Sequence, residues 1–478
     1  MAELLTPDLC VIGAGAAGLS LAAAAASLGV PVVLIEKGRL GGEHLHTGGV
    51  PSRAMIAAAQ RAEAFRNSAP FGVTSAAPTV EFAEVNDHIH RVIDAVAPNE
   101  SKERLVGLGV RVIEGEAGFR DPKTIVVGPE LNIRYEIKAR RFVIATGSRP
   151  LVPSISGLEQ VPYLTNENAF ETRERPKHLI VLGGGRVALE LAQAFRRLGS
   201  EVTVLDSAQP LGKEDQECAG IVLDAFAREG ITIRGGVKVE RVRRLRQRIE
   251  VVLAGEGEET IQGTDLLVAA GRRPNIDALD LAAARVKHGP DGILVNKRFA
   301  TSNRRIYAIG DVTGLPPFTH SATHQAVLLI RHLLFRLPIR MNADEIPRVT
   351  FTDPELAHVG LTDAQARERH GAIRVVRSPY RDNHRAQAER ETRGHIKVVT
   401  DPKGLILGAT IVGAAAGEQI TAWTLAINHG LNIRAFAELV MPYPTYMEVG
   451  KQAAITFFTP RLATNWMRRI LNLLRWFG

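Results

Sequence analysis

The strongest constraint on this chain is a device that occurs twice. In DLCVIGAGAAGLSLAAAAASLGVPVVLIEKG an apolar stretch, Leu9 to Ile12, runs into Gly13-x-Gly15-x-x-Gly18. An alanine-rich helical stretch and a second apolar stretch ending at Glu36 follow, with Lys37 next to the acid. The second copy, HLIVLGGGRVALELAQAFRRLGSEVTVLDS, carries Gly183-x-Gly185-x-x-Ala188 and ends at Asp206. The spacing from first glycine to acid is the same in both, 36−13 = 23 and 206−183 = 23. This order predicts two strand–helix–strand units that each hold a dinucleotide. The first glycine makes the tight turn, the second lets a pyrophosphate reach the backbone, and the third packs helix on strand. The helix N-terminus then faces the phosphates and the acid accepts from a ribose. No arginine closely follows Asp206, so the second unit is expected to take NAD(H), with its free 2′-hydroxyl.

At 478 residues the chain is too long for one core and predicts two to four domains. The excess of basic residues, 59 against 51 acidic, is mild; it suits anionic cofactors or a membrane surface and is only weak evidence for nucleic acid, which is not an expected partner. The run RVRRLRQR, Arg241 to Arg248, lacks interleaved aromatics and reads as a charged hairpin edge. The only cysteines, Cys10 and Cys218, fall in different predicted units, which excludes a disulfide framework and points to a reducing compartment. MAELLTPD shows no secretory pattern, and no apolar run reaches the ~20 residues of a spanning helix. A cytoplasmic protein is expected.

Three further segments complete the pattern. FVIATGSRP and LLVAAGRRPN, the latter with Gly271, are apolar strands ending in small-residue turns, one closing each unit. IYAIGDVTG places Asp311 after a third strand. In this order the motifs resemble the flavin-containing pyridine nucleotide–disulfide oxidoreductases of the dihydrolipoamide dehydrogenase and mercuric reductase type, from about Leu9 to Phe458. The resemblance implies an α/β chain with two Rossmann-like domains, for FAD and NAD, and an α+β C-terminal dimerisation domain. The implied boundaries are 1–150 with 275–345 for FAD, 151–274 for NAD, 346–455 for dimerisation, and 456–478 as a tail. It also implies FAD contacts at Gly13, Gly15, Gly18, Glu36, Gly42, Ala117, Thr146, Gly147, Asp311 and the run Thr319 to Ala322. RVTFTDPELAHVGLT would open the domain that forms a homodimer.

One stretch departs from the pattern. The family's loop reads approximately Gly-Gly-x-Cys-x-x-x-Gly-Cys-x-Pro-Ser-Lys, whereas GGEHLHTGGVPSRAM has His44 and Gly49 at the cysteine positions and Arg53 at the lysine. Dithiol exchange needs a thiolate at the flavin, so lipoamide, glutathione and similar disulfides are not the expected substrates. The C-terminal His-Pro-Thr-x-x-Glu run is also altered: MPYPTYMEVG has Tyr443 at the histidine and keeps Glu448. Tyrosine there looks like mercuric reductase, but the thiolates that hold its soft metal are absent. The implied ion pair where hydride arrives becomes Arg53–Glu190, with a fork in place of an ammonium. Arg186 stands where the family often has Tyr or Pro beside the nicotinamide. His44 and His46, two apart on a helix, point to nearly opposite sides and are a poor metal site; no metal is expected.

The chain ends TPRLATNWMRRILNLLRWFG. As a helix from Arg461, it places Leu462, Trp466, Ile470, Leu473 and Phe477 on one face, with Arg461, Asn465, Arg468, Asn472 and Arg475 opposite. That pattern suits a membrane surface, or docking on the protein itself. The expected activity is hydride transfer from NADH through FAD to a small-molecule, non-disulfide acceptor, a quinone first. The catalytic set would be Arg53, Glu190, Tyr443, Glu448, His44 and Gly49. The alternatives are a metal-ion or dye-type reductase, and a non-catalytic flavoprotein.

Overall fold

The computed structural model describes residues 2–74, 76, 78–128, 132–255, 259–462 and 465–476. Side-chain positions at 460–468 lie outside that description. The backbone forms two compact units, Met1–Ser207 with Arg234–Met341, and Ala208–Ile233 with Asn342–Gly478.

The first unit contains both glycine devices. Leu9–Ile12 lies at the centre of a five-stranded sheet, with Arg141–Ile144 and Ile306–Ala308 on one side and Val32–Glu36 and Val110–Glu114 on the other. All four pairings are parallel. Every residue from Leu9 to Ile12 is buried, as a central parallel strand covered on both faces requires. The helix Ala16–Ser27 packs on Thr319–Phe335 over this sheet. Alanine on the first helix keeps the two close. The second device has the same layout: His178–Leu182 sits between Glu201–Leu205 and Asp265–Val268, again parallel. Val239–Leu245 is an outer strand of an antiparallel meander, which places the arginine run at a charged edge. A two-stranded ribbon, Ser148–Pro150 with Arg272–Pro274, joins the segments that leave the two folds.

The second unit is built on a five-stranded antiparallel sheet. Its order is Arg348–Thr350, Glu355–Gly360, Ile406–Gly413, His395–Thr400, Arg374–Pro379. Side chains alternate across it. Ile396 and Val398 enter an apolar core with Trp423, which stacks on Phe436 at 3.8 Å. Lys397, between them, points the other way and is buried with Asp215, which caps the helix Gln216–Arg228. Its Nζ lies 2.7 Å from Asp215 and 3.3 Å from both Glu217 and Asp363. Burial by itself would raise the Asp215 carboxyl; the Lys397 ammonium outweighs burial and holds it below the usual range. The helix Gln216–Arg228, which sequence order assigns to the NAD region, is thereby pinned to this sheet.

Lys397→Met therefore leaves a buried carboxylate without its counter-charge. The expected loss is about 3–5 kcal/mol in this unit, read as a lowered thermal midpoint. Lys397→Met with Asp215→Leu should recover most of it.

Candidate active site

The glycines of the first device sit where no side chain fits. Gly13 has φ +100°, and a Cβ there would meet Ala145 O at 2.4 Å. A Cβ on Gly18 would lie 1.8 Å from Gly13 O. Gly42, φ +61°, brings its backbone against Gly15, where a Cβ would be 2.8 Å from the Gly15 Cα. A Cβ on Gly15 meets nothing within 4 Å. The helix behind it starts without a side-chain cap, so its first amides remain available to an anion. This bare concavity fits a pyrophosphate. Glu36 ends its strand with its carboxylate on Ala14 N at 2.6 Å and Gly38 N at 2.7 Å, at the rim of the same cradle. Lys37 turns outward onto Glu116, next to Ala117, which pairs with Val127 in a neighbouring sheet.

Thr146 and Gly147 form the turn after Arg141–Ile144; Thr146 Oγ1 donates to Asn275 O at 2.7 Å. Asp311 follows Gly310 and accepts from Ser148 Oγ at 2.6 Å. Thr319 begins its helix without a side-chain cap, and Ala322 is buried one turn later. The second cradle repeats the first: a Cβ on Gly183 would be 2.3 Å from Ala269 O, Gly185 is open, and Ala188 is fully buried. Asp206 lies just past Glu201–Leu205, and Gly271, φ +144°, just past Asp265–Val268.

The altered loop forms a short helix, Gly42–His46, and then the long helix Gly49–Arg66. His44 Nε2 meets Glu100 Oε1 at 2.8 Å, whereas His46 Nε2 donates to Leu40 O at 2.7 Å, so the two rings do separate jobs. Burial lowers the proton affinity of His46. Among the described residues no group of three His, Cys, Asp or Glu side chains is placed to hold a metal. Both cysteines are buried and their thiols pushed up by that burial, the reverse of what a redox thiolate needs. At Gly49 a Cβ would have His44 O as its nearest neighbour at 4.0 Å, so the backbone does not demand glycine there. Arg53 pairs with Glu190, joining this helix to Arg186–Arg197 of the second device. Arg186 lies over the Phe318 ring at 4.1 Å, and that ring stacks on His320.

Sequence reasoning missed a network on the other side of the loop. Arg272 pairs with Glu43 and donates from Nε to Ser148 Oγ at 2.7 Å. Burial pushes the Glu43 carboxyl up to about 7, with Asp311 adding and Arg272 opposing. Asn166 donates to Glu43 Oε1 at 3.2 Å and to Thr47 O at 3.0 Å. Glu43 and Arg272 each adjoin a motif glycine, Gly42 and Gly271, and only folding brings them together.

In the second unit Tyr443 is 69% exposed, with Oη 2.9 Å from His384 Nδ1. Glu448 starts the helix Glu448–Leu462 and accepts from Thr445 N at 3.2 Å, so one of its oxygens serves the chain's own backbone. Both line a small pocket with Ser378, Asn383 and Gln452. His384 had no signal in the sequence.

Residues 7–326 match the model of the pyridine nucleotide-disulphide oxidoreductases, and 346–454 match that family's dimerisation domain. The chain belongs to this family. It is 36% identical to a mercuric reductase of Lysinibacillus sphaericus over 94% of its own length and 82% of the relative's. It is 33% identical to the dihydrolipoyl dehydrogenase of Bacillus subtilis, over 94% and 95%. Among solved structures, the HOCl-induced flavoprotein disulfide reductase RclA from Escherichia coli, as its Cu(II) complex, superposes with a TM-score of 0.84 at 26% identity, covering 95% of this chain and all of that one. LpdA from Mycobacterium tuberculosis, at 24% identity, shares the fold with a TM-score of 0.87, over 95% and 99%. This member of the pyridine nucleotide-disulphide oxidoreductases is thus an FAD-containing, NAD(P)H-dependent oxidoreductase. Its dimerisation domain supports a homodimer.

The two glycines beside the first helix predict opposite failures. Gly15→Val should leave the far-UV circular dichroism and melting near normal while the purified protein loses its flavin absorbance. Gly18→Ala, forced into backbone, should lower the melting temperature itself.

Proposed function

We propose that this enzyme takes hydride from NADH and delivers the electron pair to a non-disulfide acceptor, with quinones the favoured class. The observation that carries the reading is the redox loop, which holds His44 and Gly49 where a dithiol would stand, with both cysteines buried elsewhere. FAD, held by the Gly13–Gly18 cradle, supplies the two-electron carrier between nicotinamide and acceptor. Asp206 selects NADH over NADPH by accepting from a free ribose hydroxyl. The Arg53–Glu190 pair fixes the long loop helix against the NAD fold, which sets the approach of the nicotinamide. Gly49 leaves room for a flat acceptor to approach directly. Tyr443 and Glu448 of the partner subunit close that pocket, with the Tyr443 hydroxyl as proton donor. His44, held by Glu100, shapes the wall of the loop and stays off the chemistry.

A second reading is favoured by the 36%-identical mercuric reductase and by Tyr443: reduction of a metal ion. The lack of nearby thiolates weighs against a soft metal.

The tail supports contact with the cytoplasmic face of a membrane. Leu471, Leu473, Leu474 and Trp476 are exposed in or just after the helix Asn465–Leu474, and Arg469 and Arg475 are exposed with them. Of the two expected faces, Ile470 is half-buried and Asn472 exposed, whereas Arg461, Leu462, Asn465, Trp466, Arg468 and Phe477 lie outside the described side chains. No helix among the described residues is long and apolar enough to cross a membrane.

In an anaerobic stopped-flow mix, NADH should bleach the flavin and a soluble quinone should restore its colour, whereas lipoamide and mercuric ion should not. Restoration by mercuric ion alone moves the assignment to the second reading. Arg53→Met should slow the bleaching about 100-fold with little loss of FAD. Deleting residues 461–478 should abolish co-sedimentation with anionic vesicles and leave the bleaching rate unchanged.

A further inference from the structure

The network around Glu43 has a charge imbalance that the hydride reaction does not explain. One guanidinium, Arg272, serves two carboxylates: it pairs with Glu43, and its Nε lies 3.7 Å from Asp311 Oδ2. Ser148 bridges the two acids' halves of the network, giving its hydroxyl proton to Asp311 at 2.6 Å while accepting from Arg272 Nε at 2.7 Å. Arg272 also donates to Ser148 O at 3.0 Å. Its Nε and one terminal nitrogen therefore have fixed targets. From the segment after Thr165, the exposed Glu167 adds negative charge. The histidines on the Glu43 helix are turned to other partners, His44 to Glu100 and His46 to Leu40. Asn166, the remaining partner, is neutral.

These groups stand beside the cradle that holds the anionic diphosphate, because Gly42 abuts Gly15 and Glu43 is the next residue. Two acids on one cation, beside a diphosphate, cannot all keep their charge when more negative charge arrives. Asp311 accepts the serine proton and shares the guanidinium, so its Oδ2 is already served. Glu43, whose free oxygen capacity meets only an amide, is the group left to respond.

We propose that Glu43 is a positioning residue that takes up the charge-compensating proton when the bound flavin is reduced, and gives it back on reoxidation. The balance is simple. NADH delivers two electrons and one hydrogen as hydride and leaves as NAD⁺; the cofactor gains one negative charge; one proton from water binds the Glu43 carboxylate and neutralises it. Reoxidation reverses the last step and releases that proton toward the acceptor side. With Glu43 neutral, the Arg272 fork passes wholly to Asp311 and Ser148, so the loop that begins at Gly42 is held less tightly in the reduced enzyme. The burial that raises Glu43 to about 7 makes the exchange effective at neutral and mildly alkaline pH, since below that range the carboxyl already holds its proton before reduction. The inference depends on FAD and not on the identity of the acceptor.

The test counts protons on the FAD-loaded homodimer. Photoreduction in weak buffer with an indicator dye, between pH 7 and 9, gives protons bound per electron pair (about one extra is expected for a compensating group). The native enzyme should bind close to one proton more than Glu43→Gln, and the excess should vanish toward pH 6. Equal counts in the two proteins overturn the proposal. If Glu43→Gln does not retain FAD, the reduced-minus-oxidised infrared difference spectrum of the native enzyme decides. A protonated-carboxyl band that appears on reduction supports Glu43, and its absence overturns the proposal. Absence of quinone turnover in the native enzyme speaks against the acceptor reading alone, and equal proton counts speak against this proposal alone.

Discussion

Everything at the active site depends on bare backbone meeting bare backbone. Gly13 and Gly18 touch with no room for a methyl group, and Gly42 does the same against Gly15. These contacts bring one uncapped helix end, one strand end and the start of the redox loop into a single concavity. Peptide amides with no intrahelical partner suit the recognition of a diphosphate. The second device repeats the arrangement at Gly183 and Gly185. The ribbon Ser148–Pro150 with Arg272–Pro274 carries that geometry from one fold to the other.

On this frame the loop that in related enzymes carries a dithiol is held by charge. Arg53 reaches Glu190, Glu43 reaches Arg272, and His44 reaches Glu100. The three contacts leave in different directions from one loop and its helix, which orients Gly48 and Gly49 without any covalent link. Half-burial makes each pair more than a surface decoration, because solvent screening falls as the groups leave water. The buried cysteines, in contrast, are ordinary core packing. The loop thus lacks the cysteine pair but keeps the charged contacts that position it.

The C-terminal unit shows the same preference for a polar connection at a place where an apolar one would pack. Lys397 occupies an inward position of a central strand because three acids from other segments converge on it. The strict two-residue alternation of the sheet sends its neighbours Ile396 and Val398 to the opposite, apolar face.

The sequence by itself determined the class of fold, the two cradles and the cofactors, because these rest on local rules. Turn glycines, strand polarity and the acid at a fixed spacing all act within about thirty residues. It also determined that no thiolate stands on the loop, since that needs only the absence of a letter at positions 44 and 49. The Arg53–Glu190 pair was legible through family resemblance alone, as 137 residues separate the partners. Glu43 with Arg272, and Tyr443 with His384, were not legible: the partners are 229 and 59 residues apart and no periodicity links them. Nor does local pattern assign the helix Gln216–Arg228 to the C-terminal sheet, where Lys397 donates to its capping Asp215 from 182 residues away. Long-range charge pairing is a property of the closed chain: its strength comes from the burial that only tertiary structure provides.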